Sequence, residues 1–161
     1  MTEARGDRPS GGSWADRTGR DLLAAVAAHR SPLGGGSVAA ITAALAAALA
    51  ERCAAAVPDA GDDRARAAAL REQLLAVADD DAAVLASLIG GRGLPSSASD
   101  PPRRLRDVAA EVGEIARRLE RDGVPRLRGE AGCAALLADT AVRAAEAIVA
   151  INERAGTADA G

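Results

Sequence analysis

Along residues 70–88 the apolar positions Leu70, Leu74, Val77, Val84 and Leu88 recur in steps of four and three, and Asp81 stands where that pattern calls for a leucine. Such alternation marks a helix seam that faces a partner helix. A carboxylate in an apolar seam is costly unless it is paired, hydrogen-bonded or protonated. Its pKa tends upward unless a positive group holds it down. Two readings stay open: a structural pair with one of the many arginines, or a cap on a neighbouring helix; and a working acid or base. Its neighbours Asp79 and Asp80 fall off the seam and are read as solvated.

The second chemical feature is a loop, Ser31-Pro32-Leu33-Gly34-Gly35-Gly36-Ser37, which opens directly onto a run of small apolar residues. Three glycines in a row bury no side chain and lose much backbone freedom on ordering. Placed at a helix start, Gly34, Gly35 and Gly36 suit close approach of a ligand, with Ser37 as N-cap. First-turn N–H groups and the helix dipole favour a carboxylate, a phosphate or a polarised carbonyl. The spacing and the lysine of a Walker A loop are missing, and a plain flexible turn is the competing reading. The only histidine, His29, sits just before this loop at a predicted helix end, where a structural or surface role is the commoner one and a catalytic role the alternative.

Composition narrows the remaining chemistry. There is no lysine, which removes Schiff-base and lysine general-base mechanisms. Cys53 and Cys133 lie in alanine-rich segments without His or Cys at metal-ligand spacing, so they read as reduced core residues, with no metal site. No basic cluster interleaved with aromatics is present, which argues against nucleic acid as a partner. The start of the chain lacks an apolar signal core, and the apolar run 38–50 is too short and alanine-rich for a membrane span, so a soluble, cytoplasmic protein is expected.

The elements that must position these groups are helices. With 161 residues the chain makes one domain, and 48% hydrophobic residues that are mostly alanine, beside a single Trp14, call for closely approaching helices. The prediction is an all-α, single-domain bundle of about five helices, with a tail over 1–15, a helical domain over 16–154 and a frayed end over 155–161. Helices are expected over 16–29, with Leu22, Leu23, Val26 and Ala27 as the apolar face; over 37–57; from after Asp63 to Leu88; from Asp100 to Gly123; and over 130–154. The second is apolar all round and should occupy the centre of the bundle, or of a dimer. The fourth has the seam Leu105, Val108, Val112, Ile115 and Leu119, and in the fifth Thr140 and Asn152 fall beside the apolar face.

The stretch Arg30-Ser31-Pro32-Leu33-Gly34-Gly35-Gly36-Ser37-Val38-Ala39-Ala40 resembles the cyclodeaminase/cyclohydrolase family, which includes the C-terminal domain of formiminotransferase-cyclodeaminase and stand-alone methenyltetrahydrofolate cyclohydrolases. Asp81-Ala82-Ala83 and the run from Ala131 through Asn152 fit the same pattern, over residues 18–154. Where the family carries Ser-Asp at the start of its last helix, this chain has Gly129-Glu130. The resemblance implies an all-helical homodimer that acts on an amidine or imine carbon of a tetrahydrofolate one-carbon adduct or a related small molecule. It implies no bound cofactor. It assigns Asp81 and Glu130 as catalytic, and Gly34, Gly35, Gly36 and Ser37 as substrate-binding. The alternative is a non-catalytic helical dimer of the same fold that binds a small ligand or a partner protein.

Overall fold

A computed structural model describes residues 12–158, and among them five α-helices and two short 3-10 turns form the whole architecture. The helices are α1 (Gly19–Ala27), α2 (Gly35–Ala54), α3 (Gly61–Ile89), α4 (Asp100–Asp122) and α5 (Arg128–Ala158). Part of the stretch expected as a tail is structured: Ser13 caps a 3-10 turn at Trp14–Asp16, and the Trp14 indole is 4% exposed. Residues 1–11 lie outside the described residues. At the other end α5 runs on to Ala158, past the predicted fray at 155.

Each long helix follows from its sequence. α4 begins with Pro101 and Pro102 in its first turn, where their missing N–H groups cost nothing. It buries Leu105, Val112, Ile115 and Leu119 as the seam predicts, with Val108 partly buried beside them. α3 buries Leu70, Leu74 and Val77, after which the seam opens through Asp81 to the half-exposed Leu88. The α3–α4 connection reverses through Gly91 and Gly93, both at positive φ (75° and 77°), a conformation that glycine adopts without steric cost.

α2 packs on α3 and α5 and reaches α4, while α5 lies along α4. The core between them is built from Ala40, Ala43, Ala46, Ala47 and Ala50 of α2 against Ala134, Ala138, Ala141 and Ala145 of α5, with the leucines of α3 and α4 filling the rest. Alanine at the contacts lets the helix axes come to the short end of the usual 8–10 Å spacing. Although α2 is long and apolar enough to cross a membrane by length and composition, more than half of its most apolar stretch is buried inside the bundle as its core helix. It is not enclosed on every side. Val38 and Leu45 are exposed along one flank, Leu45 by 60%, and Leu136 of α5 by 70%.

α1 departs furthest from the sequence reading. It spans nine residues rather than fourteen and buries none of them. Leu22 and Ala25 lean on a small satellite cluster of Trp14, Leu33 and Ala82, while Leu23 and Val26 of the predicted apolar face are exposed. Surface ion pairs tie the helices together, among them Asp63–Arg118 at 2.6 Å, Arg66–Glu111 at 2.5 Å and Arg103–Glu153 at 2.7 Å. Exposed pairs of this kind add little to stability individually.

Candidate functional site

α2 starts without a cap of its own. Gly34 occupies the N-cap position with no side-chain hydrogen bond, and Ser37 sits inside the first turn, not at the cap where the sequence reading put it. The missing acceptor comes from α3. The Ser37 hydroxyl donates to Asp81 Oδ2 at 2.8 Å, and the Ser37 backbone N–H lies close enough to the same carboxylate to favour its charged form. An aspartate from one helix thus caps the N-terminus of another.

The third glycine follows from this contact. A Cβ on Gly36 would stand 2.2 Å from Asp81 Oδ1 and 2.5 Å from its Cγ, so only glycine lets the carboxylate lie against the α2 backbone. Gly34 clears Leu85 in the same way, with a built Cβ 2.8 Å from Leu85 Cδ2. Gly35 is exposed, and Ile148 Cδ1 of α5 is 4.0 Å from where its Cβ would be. The loop before it is fixed by Ser31, whose hydroxyl oxygen accepts from the Leu33 N–H at 3.1 Å.

The electrostatics of Asp81 are set by what is absent around it. Among the described residues no arginine stands within ion-pair distance, so burial pushes the carboxyl above its usual range, and the two donors of Ser37 offset this only in part. Its neighbours differ in role. Asp80 pairs with Arg104 at 2.8 Å on the surface, as a solvated residue can. Asp79 is not simply solvated, because its Oδ1 accepts the Trp14 backbone N–H at 2.9 Å and pins the N-terminal turn beside the site. A partly buried acid of raised pKa, at the positive end of a helix, can hold and pass a proton near a polar ligand.

Glu130 lies elsewhere. It stands at the start of α5 and accepts from Arg52 at 3.5 Å, at the C-terminal end of α2. The distance along α2 from Ser37 to Arg52 is about 22 Å at 1.5 Å per residue. Within one chain, therefore, Asp81 meets Gly36 and Ser37, and Glu130 does not. His29 follows the end of α1 and is exposed.

Two further features escaped the sequence reading. The Asn152 side-chain amide donates to the Ala98 carbonyl at 3.0 Å, tying the end of α5 to the α3–α4 connection near the site, a contact that no local pattern announces. Cys133 is exposed on α5, contrary to the expectation of a core residue, while Cys53 is buried and its thiol pKa is pushed up by that burial. Thr140 returns its hydroxyl to the Leu136 carbonyl one turn back, a purely local bond. Among the described residues no group of three His, Cys, Asp or Glu side chains is placed to hold a metal ion.

Comparison with known proteins adds to this geometry. The family model described as formiminotransferase-cyclodeaminase matches residues 18–159. A search of curated proteins gives no significant match. Among solved structures the chain is similar to a crystal structure of formiminotetrahydrofolate cyclodeaminase from Thermotoga maritima. The two share 18% identity with a TM-score of 0.80, over 87% of this chain and 80% of that one. A likeness at that identity speaks for the helical fold.

Proposed function

The chain belongs to the formiminotransferase-cyclodeaminase family, and on that premise we propose that it is a cyclodeaminase- or cyclohydrolase-like enzyme. Its substrate in this reading is a small molecule with an amidine or imine carbon, either a tetrahydrofolate one-carbon adduct or a divergent relative of one. The observation that carries the reading is the Asp81 carboxylate, held by Ser37 at the glycine-rich start of α2 with its pKa raised by burial.

In cyclodeamination a second folate nitrogen attacks the formimino carbon, the bond from that carbon to its imino nitrogen breaks, and that nitrogen leaves as ammonia. In the cyclohydrolase direction water attacks the methenyl carbon and a ring C–N bond opens. In both, the attacking atom gives up a proton and the departing nitrogen takes one. In this reading Asp81 carries it, since a carboxyl of raised pKa is closer to the working range of a proton shuttle. The N–H groups at the start of α2 supply fixed dipoles for a polar group of the substrate. The functional unit in this reading is a soluble homodimer, with no cofactor beyond the substrate itself.

The test is turnover of a formimino- or methenyl-tetrahydrofolate followed by absorbance. Asp81→Asn should abolish it while the helical circular dichroism stays unchanged. A fully active Asp81→Asn enzyme would sink the assignment.

One observation favours a second reading. The two donors of Ser37 already give Asp81 a complete structural task, as the cap that α2 lacks. A non-catalytic dimer of the same fold that binds a small ligand would need no more. A thermal-shift screen against reduced folates separates the two, because binding without turnover supports the second reading alone.

A further inference from the structure

The chain is buried ahead of α2 before that helix begins. Ser31, Pro32 and Leu33 are all buried, although α1, the helix that precedes them, buries none of its own residues. Leu33 is covered by the N-terminal 3-10 turn, because Trp14, Leu33 and Ala82 form one buried cluster. The two partners of the indole each adjoin a part of the site. Leu33 is the residue before Gly34, and Ala82 is the residue after Asp81. One side chain thus packs against both halves of the site: the loop that begins α2, and the turn of α3 that caps it.

The backbone makes the same connection. The Trp14 N–H donates to Asp79 Oδ1 at 2.9 Å, on the α3 turn that also carries Asp81. A capping box between Ser13 and Asp16 shapes the 3-10 turn, and the Arg17 guanidinium carbon lies 5.6 Å from the centre of the indole ring. A tryptophan side chain buries about 150–250 Å². Its cluster neighbours are leucines and alanines, too small to refill the space it would leave, and the sequence holds no other aromatic residue.

Two roles for Trp14 predict different things. As an anchor for α1 alone, it would matter to Leu22 and Ala25, which lean on the same cluster. As a wedge between loop and α3, it matters to the contact of Ser37 with Asp81, because α2 has no side-chain cap of its own. The contacts select the second role. The fully buried partners, Leu33 and Ala82, belong to the loop and to α3, while those from α1 are only partly covered.

We propose that Trp14 is a positioning residue of the site: its indole, wedged between Leu33 and Ala82, holds the glycine-rich start of α2 at hydrogen-bonding distance from Asp81. It acts through those two neighbours. The proposal rests on the reading that Gly34–Ser37 and Asp81 form the working site, and deepens it by naming what sets their separation.

Amide hydrogen exchange followed by NMR tests this in the full chain carrying Trp14→Ala or Trp14→Phe. The Val38 N–H bonds to the Gly34 carbonyl at 3.1 Å, so it reports closure of the first turn of α2. Amides in the middle of α4 and α5 report the bundle. Trp14→Ala should speed exchange at Val38 by about tenfold or more while the α4 and α5 amides keep their protection. Trp14→Phe, which keeps an aromatic wedge, should restore most of the protection at Val38. Faster exchange confined to α1, with Val38 unchanged, would overturn the proposal and leave Trp14 an anchor for α1 only. Asp79→Ala removes the acceptor of the Trp14 N–H without opening a cavity in the cluster, and it decides the matter if Trp14→Ala does not fold. Local release of Val38 in that variant supports the wedge, and unchanged exchange there overturns it. Exchange is read without turnover, so failure of the wedge is distinguishable from failure of the chemistry.

Discussion

Replacing Gly36 by alanine should damage the protein only while Asp81 is present. The new Cβ would lie 2.2, 2.5 and 2.7 Å from Oδ1, Cγ and Oδ2 of Asp81, all far inside van der Waals contact. Asp81 hangs on a short side chain from α3, next to the buried Ala82 and Ala78, so it can escape only by turning away from Ser37. Overpacking costs about 1–3 kcal/mol, and loss of hydrogen bonds to a charged group about 1.5–3 kcal/mol. These overlap, because turning away relieves the one at the expense of the other, and about 3 kcal/mol is the combined cost. Alanine returns about 1 kcal/mol of helix propensity over glycine, leaving a net loss of about 2 kcal/mol. In an Asp81→Ala background the three obstructing atoms are gone, and the same Gly36→Ala change should stabilise by up to about 1 kcal/mol. Urea unfolding followed by far-UV circular dichroism, with all four proteins at one concentration, measures the cycle. An equal cost in both backgrounds would refute the contact and, with it, this explanation of the third glycine.

Two more outcomes follow from the same region. Because burial raises the folded-state pKa of Asp81 above its ordinary value, this group favours the folded state below that ordinary value, and the contribution is lost as pH rises through the raised one. The Tm of wild type relative to Asp81→Asn should therefore increase on acidification through that window, and a difference independent of pH contradicts it. Trp14 is the only aromatic residue and reports the N-terminal turn, which joins the bundle through a small cluster while α1 buries nothing. Its fluorescence should shift to the red at lower urea than the helical signal is lost; coincident transitions would mean that the segment belongs to the main cooperative unit.

Periodicity carried most of the fold. The α3 and α4 seams, the alanine-rich α2 and the stop at Gly123 are all visible as spacing, since each reports which side of a helix is dry. Asp81 was legible for the same reason, as a polar residue at a dry position. What spacing does not encode is the partner. Ser37 looks like a cap because it follows glycines, yet Gly34 can begin the helix when α3 supplies the acceptor. Glu130 opens its own helix correctly, but its place at the far end of α2 depends on how α5 runs, which no local pattern states. In α1 the apolar residues suggested a buried face, and the small Trp14 cluster proved enough to take only Leu22 and Ala25. Cys133 lies in a stretch of α5, Ala131 to Ala138, whose exposed Cys133 and Leu136 are as apolar as its buried alanines, so composition there does not tell the outer side from the inner.

The trans cap has a consequence for the order of assembly. A nascent α2 carries no side chain able to close its own first turn, so before α3 docks its glycine end must fray. The backbone geometry at Gly34–Ser37 is then acquired together with tertiary structure, when the Asp81 carboxylate arrives from 44 residues downstream of Ser37. An isolated α2 peptide would be helical in its alanine stretch and unformed at its glycines. Synthesis of the chain must pass the middle of α3 before the loop acquires its folded shape.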